Sequence, residues 1–349
     1  MIKKTLLYLL ICIMTLTIVL TGCSTNNNAT EEVTNNKEVE VEAEVEEKIV
    51  EEPIEVNIGF VDGIPALSMA KLAKETPVIQ ENVTINYDLI KGSDLIVSKV
   101  MNKEVDIAIA PSNLASIAYN QGETYVVGAL SGFGNLYVVA REDISSIEEL
   151  RGREITTIGK GLTPDIVIQY ILKSNNIDPL EDITINYMGG ATELAPAFLS
   201  KKADIIVAPE PMISTILSKD GTAKIQFSLN DLFAEASGAE LGFPQTVLII
   251  KKDLVNSHPN FVNTFLNEYE GAVNWAINNP KELGEYGTEL EITVPAGILN
   301  EDSIKRMNLS FISGDKMKDV YMKYVEVLLE FEPKTVGGKL PDEGIFFTK

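Results

Sequence analysis

A stretch of about a hundred residues occurs twice in this chain, and that repeat constrains the fold more than any other feature. Shifted by 98 residues, Gly92 falls on Gly190, Lys103 on Lys201, Asp106 on Asp204, Ile107 on Ile205, Ala110 on Ala208 and Pro111 on Pro209. The copies read KGSDLIVSKVMNKEVDIAIAPSN and GGATELAPAFLSKKADIIVAPEP. The tetrapeptide TINY also occurs twice, at 84–87 and 184–187, slightly out of that register. Each copy alternates short β-branched runs with stretches of helical apolar spacing. The runs are 56–61, 84–90, 106–110 and 125–130 in the first copy, and 154–158, 183–188, 204–208 and 223–229 in the second. Such alternation predicts βαβ units and a mostly parallel sheet in each half. The fold class is α/β, with two αβ lobes.

Two similar lobes place strand ends and helix starts toward a shared cleft, since ligands of open α/β sheets sit beyond the carboxyl ends of the strands. At the same shift Asp62-Gly63-Ile64-Pro65 faces Lys160-Gly161-Leu162-Thr163, and both segments follow the first strand of a half. A helix start offers free N–H groups and a partial positive charge. GKGLTPD at 159–165 resembles a phosphate loop only superficially. Lys160 is followed by Gly161 instead of Ser or Thr, and the four-residue spacer of G-x-x-x-x-G-K-[ST] is absent. The segment fits a helix cap instead: Thr163 at the N-cap, Pro164 at the first helical position, Asp165 in the first turn.

The N-terminal 52 residues read differently. Lys3 and Lys4 precede an apolar run from Leu6 to Leu20, which is a signal-peptide pattern and short for a membrane span. Leu20-Thr21-Gly22-Cys23 closes it and resembles the lipobox of bacterial lipoproteins, which implies lipidation of Cys23 and a mature chain beginning there. Cys12, in the leader, is the other of the chain's 2 cysteines, so no disulfide, thiol nucleophile or cysteine metal site is expected. Residues 31–52 hold ten Glu and two Lys and read as a solvated tether. The whole chain carries −22; setting aside the two leader lysines and the tether's −8 leaves −16 for residues 53–349. That balance argues against a nucleic-acid surface.

Together these features resemble the substrate-binding lipoproteins of ABC importers. The segments IGFVDGIPALSMAKL, DIAIAPSNLA, SIEELRGREITTIGKG, DIIVAPEPM and LGFPQTVLIIKKDLV are similar to the family that binds nitrate, aliphatic sulfonates, taurine and thiamine pyrimidine precursors. The resemblance spans roughly 55–335 and implies a type II periplasmic-binding-protein-like fold, with two crossovers joining the lobes. These are expected near Leu136–Arg141 and Pro244–Leu248. The implied organisation is a signal peptide at 1–22, a tether at 23–52, lobe 1 at 53–140, lobe 2 at 141–243, and a returning part of lobe 1 at 244–349 with C-terminal helices. Trp275, on one of those helices, reads as core.

The implied ligand set is Asp62, Ile64, Pro65, Ser93, Ser112, Asn113, Lys160, Gly161, Leu162, Thr163, Glu210 and Phe243. Ser93, Ser112 and Asn113 are equally good helix caps. Lys160 answers an anion or points to water, and it would oppose Asp62 across the cleft. Glu210 binds an amine, braces the lobe interface or faces the transporter. Phe60, Phe133, Tyr187 and Phe243 fall near the expected rim, where one or two would stack on a flat ligand. Two ligand classes follow: oxyanions held by Lys160 and helix starts, or heteroaromatic amines held by Asp62 or Glu210. The scarcity of basic candidates favours the second.

The resemblance further implies a monomer, without cofactor or metal, anchored by lipid outside the cytoplasmic membrane and docking on an ABC permease with its ATPase. Sensing by a lipoprotein is an alternative. So is enzymatic work on a thiamine pyrimidine or a menaquinone precursor, though the sequence has one histidine, His258, and neither H-x-x-x-H nor G-x-S-x-G.

Overall fold

The strands form where β-branched and apolar residues cluster or alternate with polar ones, and they assemble into two sheets. The computed structural model describes residues 53–122 and 124–348. The expected signal peptide, the tether and Cys23 lie outside them. In chain order the strands are β1 (Ile54–Val61), β2 (Val83–Ile90), β3 (Ile107–Pro111), β4 (Tyr125–Phe133), β5 (Leu136–Ala140), β6 (Glu154–Ile158), β7 (Thr184–Met188), β8 (Ile205–Pro209), β9 (Lys224–Ser228), β10 (Pro244–Lys251) and β11 (Leu309–Ile312). The first sheet has the order β11-β4-β10-β3-β1-β2 and the second β7-β6-β8-β5-β9.

Both sheets are mixed, where mostly parallel sheets were expected. β1 pairs parallel with β2 and β3, and β6 parallel with β7 and β8. Beside β3 lies β10, antiparallel, and beside β8 lies β5, antiparallel. The two sheets therefore share one plan: an inserted strand occupies the same place in each, arriving directly from the other lobe. This is the α/β, type II periplasmic-binding-protein-like architecture.

The inserted strands move the crossovers. Leu136–Ala140 is the buried β5 and Pro244–Lys251 is β10, so neither is a connecting segment. The chain passes between the sheets at Gly134-Asn135 and again over residues 238–243, after helix α7 (Leu229–Ser237). The second sheet's first strand thus begins at Leu136, before the expected boundary at 141. LYVVA is apolar on both faces, which suits a central strand and not an exposed connection.

The repeat is exact in its hydrogen bonding. Helices α2 (Ser93–Met101) and α5 (Ala191–Leu199) differ by 98 residues at both ends. After α2, Asn102, Lys103 and Glu104 donate their N–H groups to the carbonyls of Ser98, Val100 and Lys99; after α5, Ser200, Lys201 and Lys202 donate to Pro196, Phe198 and Ala197. Lys103 and Lys201 both hold a left-handed backbone, at φ 62° and 60°. These contacts end each helix and turn the chain into β3 or β8.

The returning part supplies α9 (Pro259–Asn278), whose buried face of Phe261, Phe265, Leu266 and Tyr269 covers the first sheet, and α12 (Asp315–Phe331), whose Tyr321, Tyr324 and Leu328 pack on the opposite side. Trp275 is half-buried at the edge and not in the core: its indole stacks on Tyr286 at 5.0 Å and takes Lys71 Nζ over its ring.

At the first crossover a Cβ on Gly134 would lie 2.2 Å from the buried Phe243 ring. Gly134→Ala should therefore destabilise the fold by about 1–3 kcal/mol through overpacking. Urea unfolding checks this, with an unchanged slope and a lowered midpoint expected.

Candidate functional site

The four helices that follow β1, β2, β3 and β6 all begin at one cavity. They are α1 (Ile64–Glu75), α2, α3 (Ser112–Gly122) and α4 (Thr163–Ser174). The cavity holds about 500 Å³. Lobe 1 contributes Asp62, Pro65, Ser93, Asp94, Ser112 and Asn113; lobe 2 contributes Leu162, Thr163, Pro164 and Ile166. Gln245 and Thr246, at the start of β10, lie where the lobes join, and Leu328 and Thr335 close the C-terminal side. A second recess of about 460 Å³ lies at the far end of the second sheet, among Arg141, Arg153 and Lys202. Arg141 pairs with Asp220 and Arg153 with Glu142, so its main cations are already matched.

Of the residues expected from the sequence, Asp62, Pro65, Ser93, Ser112, Asn113, Leu162 and Thr163 line the interlobe cavity. Five do not. Ile64, the first residue of α1, is buried in the core. Lys160 is exposed and sits 5.2 Å over the Tyr187 ring. The Gly161 N–H donates to Asp165 Oδ2 at 2.7 Å and is thereby spent. Phe243 is fully buried in an edge-to-face cluster with Phe233, at 5.4 Å between centroids, and packs on Tyr324 at 5.8 Å. Phe60 and Phe133 are core as well, which leaves Tyr187 alone of the four expected rim aromatics partly exposed.

Glu210 is the fifth. Its carboxylate is buried and accepts the Ser214 N–H at 3.0 Å, the Ser214 hydroxyl at 2.9 Å and Arg306 Nε at 2.5 Å. Arg306 lies on α11 (Glu301–Met307), in the returning part, and also donates Nη2 to Ser214 Oγ. Of its three expected roles, the contact with Arg306 fits the brace. It ties the end of β8 to the other lobe.

The local geometry of GKGLTPD also differs from expectation. Leu162 is the N-cap of α4 and Thr163 its first residue, with no side-chain cap. Asp165 instead ties down the loop that precedes the helix. It is buried, and besides Gly161 N–H it accepts Gln169 Nε2 and the Tyr187 hydroxyl, both at 2.6 Å. Burial and this carboxylate together push the Tyr187 hydroxyl pKa up. Thr163 Oγ1 is left to meet the Tyr324 hydroxyl at 3.3 Å.

Asp62 and Lys160 do not oppose each other. Asp62 Oδ1 accepts the N–H groups of Gly63 at 2.7 Å and Thr293 at 2.9 Å, and Lys91 Nζ lies 3.2 Å from Oδ2. Burial alone would raise its pKa, but Thr293, Lys91 and Gly63 together outweigh burial and hold the carboxyl below its ordinary value. Asp94 has no ion pair among the described residues, so it brings the cavity's unmatched charge. The lining includes no Lys or Arg. Among the described residues no group of three His, Cys, Asp or Glu is placed to hold a metal ion.

Residues 80–283 match the family described as NMT1/THI5 like. A relative named "Putative binding protein YtlA", from Bacillus subtilis (strain 168), is 25% identical over 205 residues, 57% of this chain. The match spans 59% of that relative's length. Among solved structures, an ABC transporter protein from Parabacteroides distasonis superposes with a TM-score of 0.72 at 27% identity, covering 84% of this chain and 99% of that one. The periplasmic aliphatic sulphonate binding protein SsuA from Escherichia coli superposes with a TM-score of 0.66 at 13% identity, covering 85% and 92%. At that identity the second likeness shows the fold.

The Glu210–Arg306 brace has a measurable consequence. Arg306→Ala leaves a buried carboxylate without its cation and should lower stability by about 3–5 kcal/mol at neutral pH. Chemical denaturation of the variant beside wild type measures the loss.

Proposed function

The chain belongs to the NMT1/THI5-like family, and on that premise we propose that it is the solute-binding component of an ABC importer. It captures a small solute between its lobes and passes it to a permease driven by a cytoplasmic ATPase. The observation that carries this reading is the cavity itself, whose walls come from both lobes and from the strand ends where they join. A solute that touches both walls favours closure by the difference in its affinity for the two states. The lining pairs no hydroxyl with a histidine or lysine, and Ser112 Oγ is committed to the Pro244 carbonyl at 2.7 Å, so the site is fitted for holding and not for nucleophilic chemistry.

Of the two ligand classes, amine-bearing or neutral heteroaromatic solutes fit better than oxyanions. Helix starts favour an anion by about 0.3–1 kcal/mol each when exposed. Against them stands the Asp94 carboxylate, with no cation on the wall to offset it. The faces available to a flat ring are aliphatic, from Pro65, Leu162 and Ile166, since no aromatic residue lines the cavity.

The Leu20-Thr21-Gly22-Cys23 sequence supports a lipid anchor on Cys23, with the acidic segment at 31–52 as a tether on the extracytoplasmic face. No helix of the described residues is long and apolar enough to cross a membrane.

Native mass spectrometry of the purified chain should show one small solute retained. Adding that solute back at 100 times its Kd should stabilise the protein by about 2.7 kcal/mol. Chemical turnover of the solute, or no stabilisation by any small molecule of a cell extract, would sink the transport reading. For the anchor, cells fed radiolabelled palmitate should label the wild-type chain and leave Cys23→Ser unlabelled. Equal labelling of the two would remove Cys23 as the lipid site.

A further inference from the structure

Two carboxamides stand on the cavity wall with one end each already committed. Gln245 Oε1 accepts the N–H of Asn135 at 3.3 Å. Only the oxygen of an amide can accept an N–H, so the orientation of this side chain is set by its partner. Its Nε2 has no partner among the described residues and is absent from their buried unpartnered atoms, which leaves it open to the cavity that Gln245 lines. Asn113 is the opposite case. Its Nδ2 donates to the Thr335 carbonyl at 3.0 Å, and only a nitrogen can do so. Its Oδ1 is the open end, again outside the buried set. The two residues are neighbours in space: β10 pairs Thr246 with Pro111 of β3, and Ser112 Oγ reaches the Pro244 carbonyl. One wall thus presents a donor and an acceptor of fixed polarity, each held by the backbone.

We propose that Gln245 and Asn113 form a subsite for a planar amide-like group of the solute: a carboxamide, a ureide or a neutral cyclic amidine edge such as that of cytosine. The group offers a lone pair to Gln245 Nε2 and an N–H to Asn113 Oδ1. This rests on the cavity being the solute site. A carboxylate, sulfonate or nitrate has acceptors only, so it leaves Asn113 Oδ1 facing another oxygen. A site that is built to pair a polar group discriminates against a solute that cannot complete the pair by roughly tenfold or more.

The subsite also reaches the junction of the lobes. Asn135 belongs to the first crossover, and its carbonyl accepts the Glu210 N–H at 3.0 Å. Gln245 follows the second crossover directly. A solute bound to Nε2 therefore rests on a side chain that bonds the first crossover from the start of β10. Its occupancy acts on the segments that must bend when the lobes close.

The test uses the purified full chain and thermal stabilisation by nicotinamide, cytosine and hydantoin against nicotinate, methanesulfonate and nitrate. At least one of the first three should stabilise it, and nicotinate should bind tenfold or more weakly than nicotinamide. Gln245→Glu keeps an oxygen for the Asn135 N–H and turns the open donor into an acceptor. It should weaken the stabilising amide by tenfold or more while the unliganded melting temperature stays within a few degrees. Should that variant melt early, Gln245→Met repeats the measurement at similar length without the donor. Stabilisation by nicotinate, methanesulfonate or nitrate alone overturns the subsite and leaves the solute-binding reading intact. So does wild-type affinity for the amide in both variants, or a solute from cell extract that stabilises the chain and carries no amide-like group. No stabilisation by these six or by the extract overturns both readings.

Discussion

The carboxamide of Asn230 holds the two crossovers together. Its Oδ1 accepts the N–H groups of Gly134 and Phe243, each at 3.1 Å, and its Nδ2 donates to the Leu241 carbonyl at 2.9 Å. Gly134 N–H also reaches the Phe243 carbonyl at 3.0 Å. Buried backbone groups left unpaired cost about 1–3 kcal/mol each, so this single side chain satisfies what the crossing chains would otherwise leave open. Both segments come close because two glycines let them. Gly242 takes φ 85°, and a Cβ there would sit 2.2 Å from Asn230 Oδ1. Phe243 fills the space that Gly134 leaves and extends the junction into the cluster with Phe233 and Tyr324.

From that junction the rest of the site follows. Each inserted strand starts where a crossover ends, so β5 and β10 enter their sheets antiparallel beside β8 and β3. This aims the carboxyl ends of β1, β3 and β6 toward the gap between lobes, and the helices after them begin there. The returning chain adds a third side. Tyr324 of α12 reaches Thr163 of α4, and Arg306 reaches Glu210, so two elements from the C-terminal portion grip the second lobe.

Much of this was legible because the repeat preserves residue identities where the backbone demands them. D-I-x-x-A-P marks β3 and β8, and the paired lysines mark matched left-handed turns. The crossovers were misplaced because a fully buried strand and a buried connection look alike in a short apolar run such as LYVVA. Glu210 follows β8 and Phe243 precedes β10, yet a sequence does not say whether such a side chain turns to the cavity or to a neighbour. Arg306, some hundred residues away, decides it for Glu210, and the space above Gly134 decides it for Phe243. Gln245 carried no signal. Its meaning comes from one hydrogen bond to Asn135, a contact across 110 positions.

The halves match in backbone and differ in what they offer. At the same 98-residue shift, Ser112 corresponds to Glu210. The serine hydroxyl bonds the Pro244 carbonyl and the glutamate bonds Arg306, so both fasten a strand end to chain that has come back from beyond it. Their successors part ways: Asn113 corresponds to Pro211, and Asp94 to Thr192. The polar readers therefore belong to lobe 1 and the β10 start. Lobe 2 faces them with Pro164, Ile166 and Leu162, the last of which is 62% exposed, and with Thr163, whose hydroxyl meets Tyr324. An exposed leucine at a cleft mouth gains by being covered, about 25 cal/mol for each Å² of apolar surface removed from water. On the proposed function, recognition and closure are divided between lobes. The first lobe would set which solute is held by hydrogen bonds of fixed polarity, and the second would supply a non-directional term once a suitable solute fills the gap.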